Sequence, residues 1–447
     1  MTITRRAMLG AIVAVAAVPL AVEAKLAVRR TKYSFPERFL WGAATAGHQI
    51  EGNNVNSDVW VSENAKPTVY AEPSGDACNS FELWPQDLDM VQAMGLNTYR
   101  FSLEWARIEP EPGMFSIAML DHYKAMIEGC RKRGLTPMVT FNHYTTPRWF
   151  AARGGWTNRD APDLFARFCD RAARHLSAEI GYATTLNEPN LIRVIRSSMT
   201  PEFFSQFKPA LDKMSEMAAR SVGSAQFVAG NTINVPDIDA LMKNMIAGHK
   251  AGRAAIKAVR PDLPVGVSLA IPDDQATGPN SIRDAVRAKC YGVWLEAARG
   301  DDFLGVQNYE RTLWDDKGVV KEAATEGDRN AAGSPVHADS LANAVRYAHS
   351  VAQVPIIVTE HGVNSSDDAV RARLIPAALA ELKKAIDEGV PVQGYLHWSL
   401  LDNFEWIFGY KYRYGLVAVD RTTFKRTPKP SAAVYGAIAR ANAIKNS

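Results

Sequence analysis

Short apolar runs return along the chain, and the segments between them have helical period. FLWGAATA (39–46), LNTYRFSL (96–103), LTPMVTFNH (135–143) and YATTLNE (182–188) are followed by PVGVSLA (264–270), DFLGVQNY (302–309), PIIVTE (355–360) and VQGYLHWSL (392–400). These runs lack the polar alternation of a strand with one wet face, so they suit strands buried on both sides, as in a parallel sheet covered by helices. Between them, DHYKAMIEGCRKRG (121–134) opens on Asp, repeats apolar residues at helical spacing, carries its basic residues late and stops at glycine. APDLFARFCDRAARHLSAEIG and DAVRAKCYGVWLEAARG read the same way. Eight such units predict an α/β fold, a single (β/α)8 TIM barrel with extended βα loops. The longest interval, 189–264, is helical in tendency, rich in Met and Phe, and expected to extend over the barrel mouth.

Length and composition fit this order without dictating it. The 447 residues, 47% hydrophobic and 22% charged, would also suffice for two or three domains. No repeat or low-complexity linker interrupts the units, so one barrel domain is expected over 33–447. A net charge of +3, with no basic tract set among aromatics, gives no electrostatic case for nucleic acid as a partner.

The N-terminus has a different character. In MTITRRAMLGAIVAVAAVPLAVEA, Arg5-Arg6 precede an Ala/Val-rich stretch that ends in Val22-Glu23-Ala24, a small-x-small pattern. Residues 1–24 are therefore expected to be a twin-arginine-like export signal, which implies a periplasmic or secreted location with the mature chain beginning near Lys25. A single membrane anchor is the competing reading, against which the apolar run falls short of ~20 residues. No later segment is apolar enough to span a bilayer.

Cys78, Cys130, Cys169 and Cys290 are scattered without a CxxC pair, which predicts free, buried thiols and no metal knuckle. No Gly-Lys dipeptide is present to make a P-loop, and no metal or cofactor is expected.

In a barrel of this kind chemistry sits at the carboxyl ends of the strands. Polar residues gather there: Gln49 and Glu51, Arg100, Asn142-His143, Asn187-Glu188, Asn308-Tyr309, Glu360-His361, then Trp398, Glu405 and Trp406. Glu188 and Glu360, closing the fourth and seventh runs, would face each other across the mouth. Such a pair suits glycosidic bond cleavage, one carboxyl protonating the leaving oxygen and the other attacking or activating water. Each glutamate taken alone is more often a strand-end residue that caps a helix or pairs with an Arg.

The motifs go further. FPERFLWGAATAGHQIEG (35–52), TLNEP (185–189), VTEHG (358–362) and WSLLDNFEW (398–406), followed by YGLVAVD and KRTPKPSA, stand in the order found in glycoside hydrolase family 1, the retaining β-glycosidases. The chain resembles that family over about 33 to 440, weakly between Leu191 and Val265. The resemblance implies that Glu188 is the general acid/base and Glu360 the nucleophile, with Arg100 and Tyr309 holding Glu360 ionised. It also implies that Gln49, His143, Asn187, Asn308, Glu405 and Trp406 contact the sugar, Asn187 at the 2-hydroxyl, and that Trp398 is the floor under the ring. Glu188 would start protonated beside the negative Glu360 and give up its proton more readily once Glu360 is glycosylated. Competing readings make Arg100 an ion-pair partner, His143 a satisfied core histidine, and Trp398 and Trp406 core aromatics. Glu51, Glu104 and Glu109 are read as structural.

The expected activity is a retaining exo-β-glycosidase acting on an unphosphorylated β-D-glucoside, with galactoside or fucoside as further glycones. Its partner is then a small-molecule or oligosaccharide β-glycoside. A transglycosylating member of the family and a non-catalytic carbohydrate-binding homologue are the alternatives. Glu405 is kept where relatives acting on 6-phosphoglycosides replace it. Three departures stand out. His361 occupies the place of Asn in TENG, which suggests either a neutral substitute or a protonated imidazole that depresses Glu360. Tyr144 replaces the usual Trp after the site histidine. Phe203, Phe204, Phe207, Met214 and Met217 either pack helices on the barrel or line an apolar aglycone site.

Overall fold

Eight parallel strands close into a barrel in strict sequence order in the computed structural model, which describes residues 33–230, 232–235, 237–322 and 327–444. The strands are β1 Leu40–Ala44, β2 Thr98–Ser102, β3 Thr136–Asn142, β4 Tyr182–Asn187, β5 Val265–Ala270, β6 Leu304–Asn308, β7 Ile356–His361 and β8 Val392–Trp398. Each falls within one of the eight apolar runs or a residue beyond it. β1 pairs with β8, Leu40 opposite Gly394 through Ala44 opposite Trp398, and this seam closes the ring. The fold is the expected (β/α)8 barrel. The anticipated export signal, 1–24, lies outside the described residues.

Continuous burial follows from the two cores a barrel needs. Met138, Ile357, Leu396 and Phe303 fill the interior, while Val139, Val267, Val306 and Val358 turn outward against the helices. The four cysteines are free and buried. Among the described residues no helix is long and apolar enough to cross a membrane, and no group of three or more His, Cys, Asp or Glu could hold a metal ion.

The helix expected from Asp121 begins earlier, at Ile117, because the Ser116 hydroxyl accepts the N–H of Met119 and caps it; Asp121 is an interior residue. The segment 189–264 supplies three helices, Leu191–Ser198, Pro201–Ser221 and Ile238–Val259. The last is the outer-ring helix packed on Ala161–Leu176, and the first leads directly from the barrel mouth.

Candidate active site

Two strand ends are irregular, and each presents a glutamate. Between β4 and β5 the register slips after Thr184, and the Glu188 N–H donates to Ser268 O at 2.8 Å. Glu188 takes a left-handed backbone, φ 41°, and its carbonyl accepts the Leu191 N–H, so the chain turns sharply into helix Leu191–Ser198. Tyr144 (φ 66°) and Trp406 (φ 54°), also on the cavity wall, share this conformation. A non-glycine residue is held so only where its surroundings fix it, and such residues cluster at functional sites.

Between β6 and β7 the register slips after Val358, so Glu360 stands opposite Gln307 and His361 opposite Asn308. An irregularity of this kind re-aims a side chain. Thr359 stays inside the barrel, donating to Ser268 Oγ at 3.0 Å, while Glu360 reaches the mouth. Gly362 then has to be glycine, since a Cβ there would lie 2.1 Å from the carbonyl oxygen of Trp398.

Both oxygens of Glu360 are held. Arg100, fully buried in β2, donates through Nη1 to Oε1 at 2.6 Å, and the Tyr309 hydroxyl donates to Oε2 at 2.6 Å. The other arm of Arg100, Nη2, donates to Asn187 Oδ1 at 2.6 Å, so one guanidinium ties β4 to β7 across the barrel. Glu188 has a different partner: the Tyr144 hydroxyl donates to its Oε2.

Burial pushes both carboxyls above their ordinary range. For Glu188 the neighbouring Glu360 charge adds to burial, and the two carry it to about 8 against weaker opposition from Tyr144 and Arg100. For Glu360, burial is opposed by the Arg100 guanidinium and the Tyr309 hydroxyl. The pair therefore shares one proton, which resides on Glu188, and one charge, which resides on Glu360 beside the cation.

The cavity above them is about 480 Å3 and is walled by Gln49, His143, Gln307, Trp398, Glu405 and Trp406 together with both glutamates. Gln49 donates to Phe404 O at 2.7 Å, which leaves its Oε1 without a partner. His143 Nδ1, Gln307 Oε1 and Glu405 Oε1 are likewise buried and unpartnered among the described residues. Buried polar atoms are normally bonded, so four open ones on one wall suit a ligand dense in hydroxyls. The His143 ring stacks on Trp398 with centroids 5.7 Å apart, and burial beside Arg100 keeps the imidazole neutral. Burial also pushes Glu405 well up. Arg100 and Asn187 stand directly behind the wall, Asn187 Nδ2 lying 3.2 Å from His143 Nε2.

The structure thus gathers Glu188, Glu360, Arg100, Tyr309, Gln49, His143, Asn187, Trp398, Glu405 and Trp406 at one mouth. Asn308 does not belong with them. Its amide donates to Ile271 O at 3.0 Å and its oxygen accepts from Ser340 Oγ at 2.9 Å, so it ties β6 to its neighbours away from the cavity. Strand alternation puts Gln307 on the wall instead, donating to Asn187 Oδ1 at 2.8 Å. Gln307 was not readable from the sequence, because a strand buried on both faces does not show which of its two alternating sets faces inward. Tyr144 was visible as a departure after His143, but not as a partner of Glu188.

His361 does not act as a cation on Glu360. Its side chain turns outward from the barrel to the Tyr395 hydroxyl, 2.9 Å from Nδ1, and burial drives its pKa down to about 3. Phe207, Met214 and Met217 pack beside Ala65 and Leu211, and none of the five Phe and Met residues lines the cavity. Helix Leu191–Ser198 does so in their place. Glu104 is structural, as expected: it accepts the His48 N–H at 2.9 Å, the Asn54 amide and the Thr145 hydroxyl below the mouth.

Comparison with known proteins agrees with this geometry. The sequence model described as Glycosyl hydrolase family 1 matches residues 31–235 and 302–444. Thermostable beta-glucosidase B of Thermobispora bispora is 30% identical over 443 residues, covering 92% of this chain and 92% of that protein. The crystal structure of beta-glycosidase BGL167 is 43% identical, with a TM-score of 0.84 over 92% of this chain and 99% of that one. An apo structure of a beta-glucosidase 1317 is 38% identical, with a TM-score of 0.86 over 90% and 98%.

Proposed function

The chain belongs to glycosyl hydrolase family 1 and is a glycoside hydrolase, and from that premise we propose that it is a retaining exo-β-glycosidase of β-glucosidase type, cleaving an unphosphorylated β-D-glucoside through a covalent glycosyl-enzyme. The observation that carries the reading is the unequal treatment of two buried carboxyls: Glu360 is bonded to a guanidinium and a phenol, Glu188 to a phenol alone.

An oxygen of Glu360 attacks the anomeric carbon while the bond from that carbon to the leaving oxygen breaks, and Glu188 delivers its proton to the departing alkoxide. Glycosylation converts Glu360 to a neutral ester. The charge that held the Glu188 proton in place is then gone, and its pKa falls, so the ionised Glu188 can take a proton from the water that attacks the anomeric carbon and frees Glu360. Asn187, held behind the wall by Arg100 and Gln307, is assigned to the 2-hydroxyl on the family resemblance, and hydrogen bonds there strengthen in the oxocarbenium-like transition state.

Glucose as the glycone is supported by the names of the relatives above. The absence of Lys or Arg from the cavity wall, among the described residues, supports an unphosphorylated sugar, since a phosphate dianion would be buried there without a cation. Export is proposed from Arg5-Arg6 and the apolar run after them; retention of the full chain in the cytoplasm on fractionation would overturn it.

The test is Glu360→Gly assayed on aryl β-glucosides with and without azide. The variant is expected to lose nearly all hydrolysis and, with azide, to form the α-glucosyl azide. Activity close to that of the unaltered enzyme would overturn the assignment.

A further inference from the structure

Beyond the sugar, the cavity changes character. Its outer wall is built from Leu191, Val194, Ile195 and Met199 at helix Leu191–Ser198 and from Ile271 and Pro272 after β5. Three polar side chains share that wall, and two are already engaged: Ser198 Oγ donates to Val194 O at 3.0 Å, and Glu310 accepts from Asn330 at 2.7 Å, leaving Thr312. A second pyranose seated there would give up water at several hydroxyls for few replacements, which is unfavourable.

The wall does not end at Met199. Ser198 and Met199 also border a second cavity of about 580 Å3, whose far sides are Ile282, Ala285, Val286, Trp314 and Val319. The Trp314 N–H is bonded to Asp274 at 2.8 Å, so the indole offers the cavity only apolar surface. Ile282 and Val319 are 36% and 46% exposed, a high value for large apolar side chains on either side of one hollow. Ser197, Thr200, Lys289, Asp315 and Lys317 add polar groups to the lining. Ile282, Ala285 and Val286 fall in 236–301, between the two stretches that the family model matches, whereas Met199, Trp314 and Val319 fall within them.

We propose that the two cavities form one continuous leaving-group channel, which takes β-glycosides of long apolar alcohols: the sugar lies over Glu188 and Glu360, and the tail passes over Met199 into the second chamber. The eight residues of Leu191–Ser198 set the scale. At about 1.5 Å of rise per residue, a tail must run roughly 10 Å past the cleaved bond to enter the second chamber. Short aryl and butyl groups stay in the first chamber, octyl ends at the entrance of the second, and dodecyl occupies it. The inference rests on the glycosidase reading given above and adds the class of aglycone.

The experiment is a series of methyl, butyl, octyl and dodecyl β-D-glucosides below their micelle concentrations, with 4-nitrophenyl β-D-glucoside and cellobiose alongside, read as kcat/KM. The expected result is a rise from butyl to octyl of about two- to fourfold per added methylene, fourfold being the factor for a fully buried CH2, continuing from octyl to dodecyl, with cellobiose the poorest substrate. Ile282→Glu and Val319→Glu, both at exposed positions, are each expected to remove most of the further gain from octyl to dodecyl and leave the methyl and 4-nitrophenyl rates within twofold. A series flat from octyl to dodecyl, cellobiose preferred to octyl glucoside, or an equal loss on all substrates in both variants would overturn the channel while leaving the glycosidase reading intact. No turnover of any β-glucoside would overturn both.

Discussion

Tyr144 donates its hydroxyl to Oε2 of Glu188, and both residues hold a left-handed backbone, φ 66° and 41°. The bond does two things. It occupies one carboxyl oxygen, so that Oε1 is left to present the proton to the leaving group. It also favours the ionised form, because a donor to a carboxylate stabilises the charge. Tyr144→Phe removes the donor and keeps the ring that packs edge-on against Trp406 at 5.2 Å. The Glu188 pKa is then expected to rise further, moving the basic limb of the kcat/KM profile to higher pH by about one unit, the shift that corresponds to about 1.4 kcal/mol. A profile with an unmoved basic limb would show that Tyr144 only fills space.

Holding a carboxyl protonated destabilises the fold above its ordinary pKa. Glu188 has an ordinary value of 4.5 and is held at about 8 in the folded chain. Between those values the unfolded chain releases a proton that the native state retains, so the contribution to stability falls as pH rises through the window. Glu188→Gln abolishes that titration. The variant is expected to be more stable than the parent by about 1–2 kcal/mol at pH 8, with the gap closing towards pH 4.5, because function and stability compete at such sites. Denaturant midpoints at the two pH values measure it, and a gap that widened towards acid would contradict the assignment.

Neighbouring residues on β6 should fail in different ways. Gln307 fixes Asn187 at the cavity, whereas Asn308 ties backbone at Ile271 to Ser340. Gln307→Ala is expected to lower kcat by about tenfold or more with little change in the melting curve, since it loosens a contact that tightens in the transition state. Asn308→Ala is expected to cost about 2–3 kcal/mol of stability, as a buried carbonyl and a hydroxyl lose their partner, with kcat/KM nearly unchanged in the folded fraction. Steady-state kinetics and chemical melts on both variants separate the two, and a reversed pattern would place the wrong residue on the wall.

The barrel was legible because burial on both faces leaves an unbroken apolar run, and Val265–Ala270 or Ile356–His361 can be read as strands from composition alone. The carboxyl pair was legible because strand ends are where a barrel displays polar residues. What was not legible depends on register and on chain direction after a turn. Gln307 and Asn308 are adjacent and equally polar, and in a run buried on both faces the composition does not show which of the two faces inward. Likewise the Phe and Met residues of 203–217 look like a binding surface by composition, yet their helix lies over Ala65 and Tyr70, and the shorter Leu191–Ser198 takes the wall.

His361 brings the same issue to a single residue with a measurable consequence. Next to Glu360 in sequence, a titrating imidazole would be the obvious device for setting the acid limb. The register slip that brings Glu360 to the mouth turns His361 outward, against Tyr395 at 2.9 Å, with Tyr395 in turn 3.2 Å from His397 Nδ1. Burial keeps His361 neutral down to about 3, below any pH at which the enzyme would be assayed. His361→Asn is therefore expected to leave both limbs of the pH–rate profile within about 0.2 unit of the parent, since neither protonation state of the pair depends on it. The cost should appear in stability instead, at about 1–2 kcal/mol, from the bond to Tyr395 and the volume of the lost ring atoms. Because the residue loses no proton between pH 4 and 8, that cost should be the same at both ends of the range. An acid limb displaced by half a unit or more, with the melting curve unchanged, would mean that His361 does communicate with Glu360 and that the outward packing against Tyr395 is not what the residue is for.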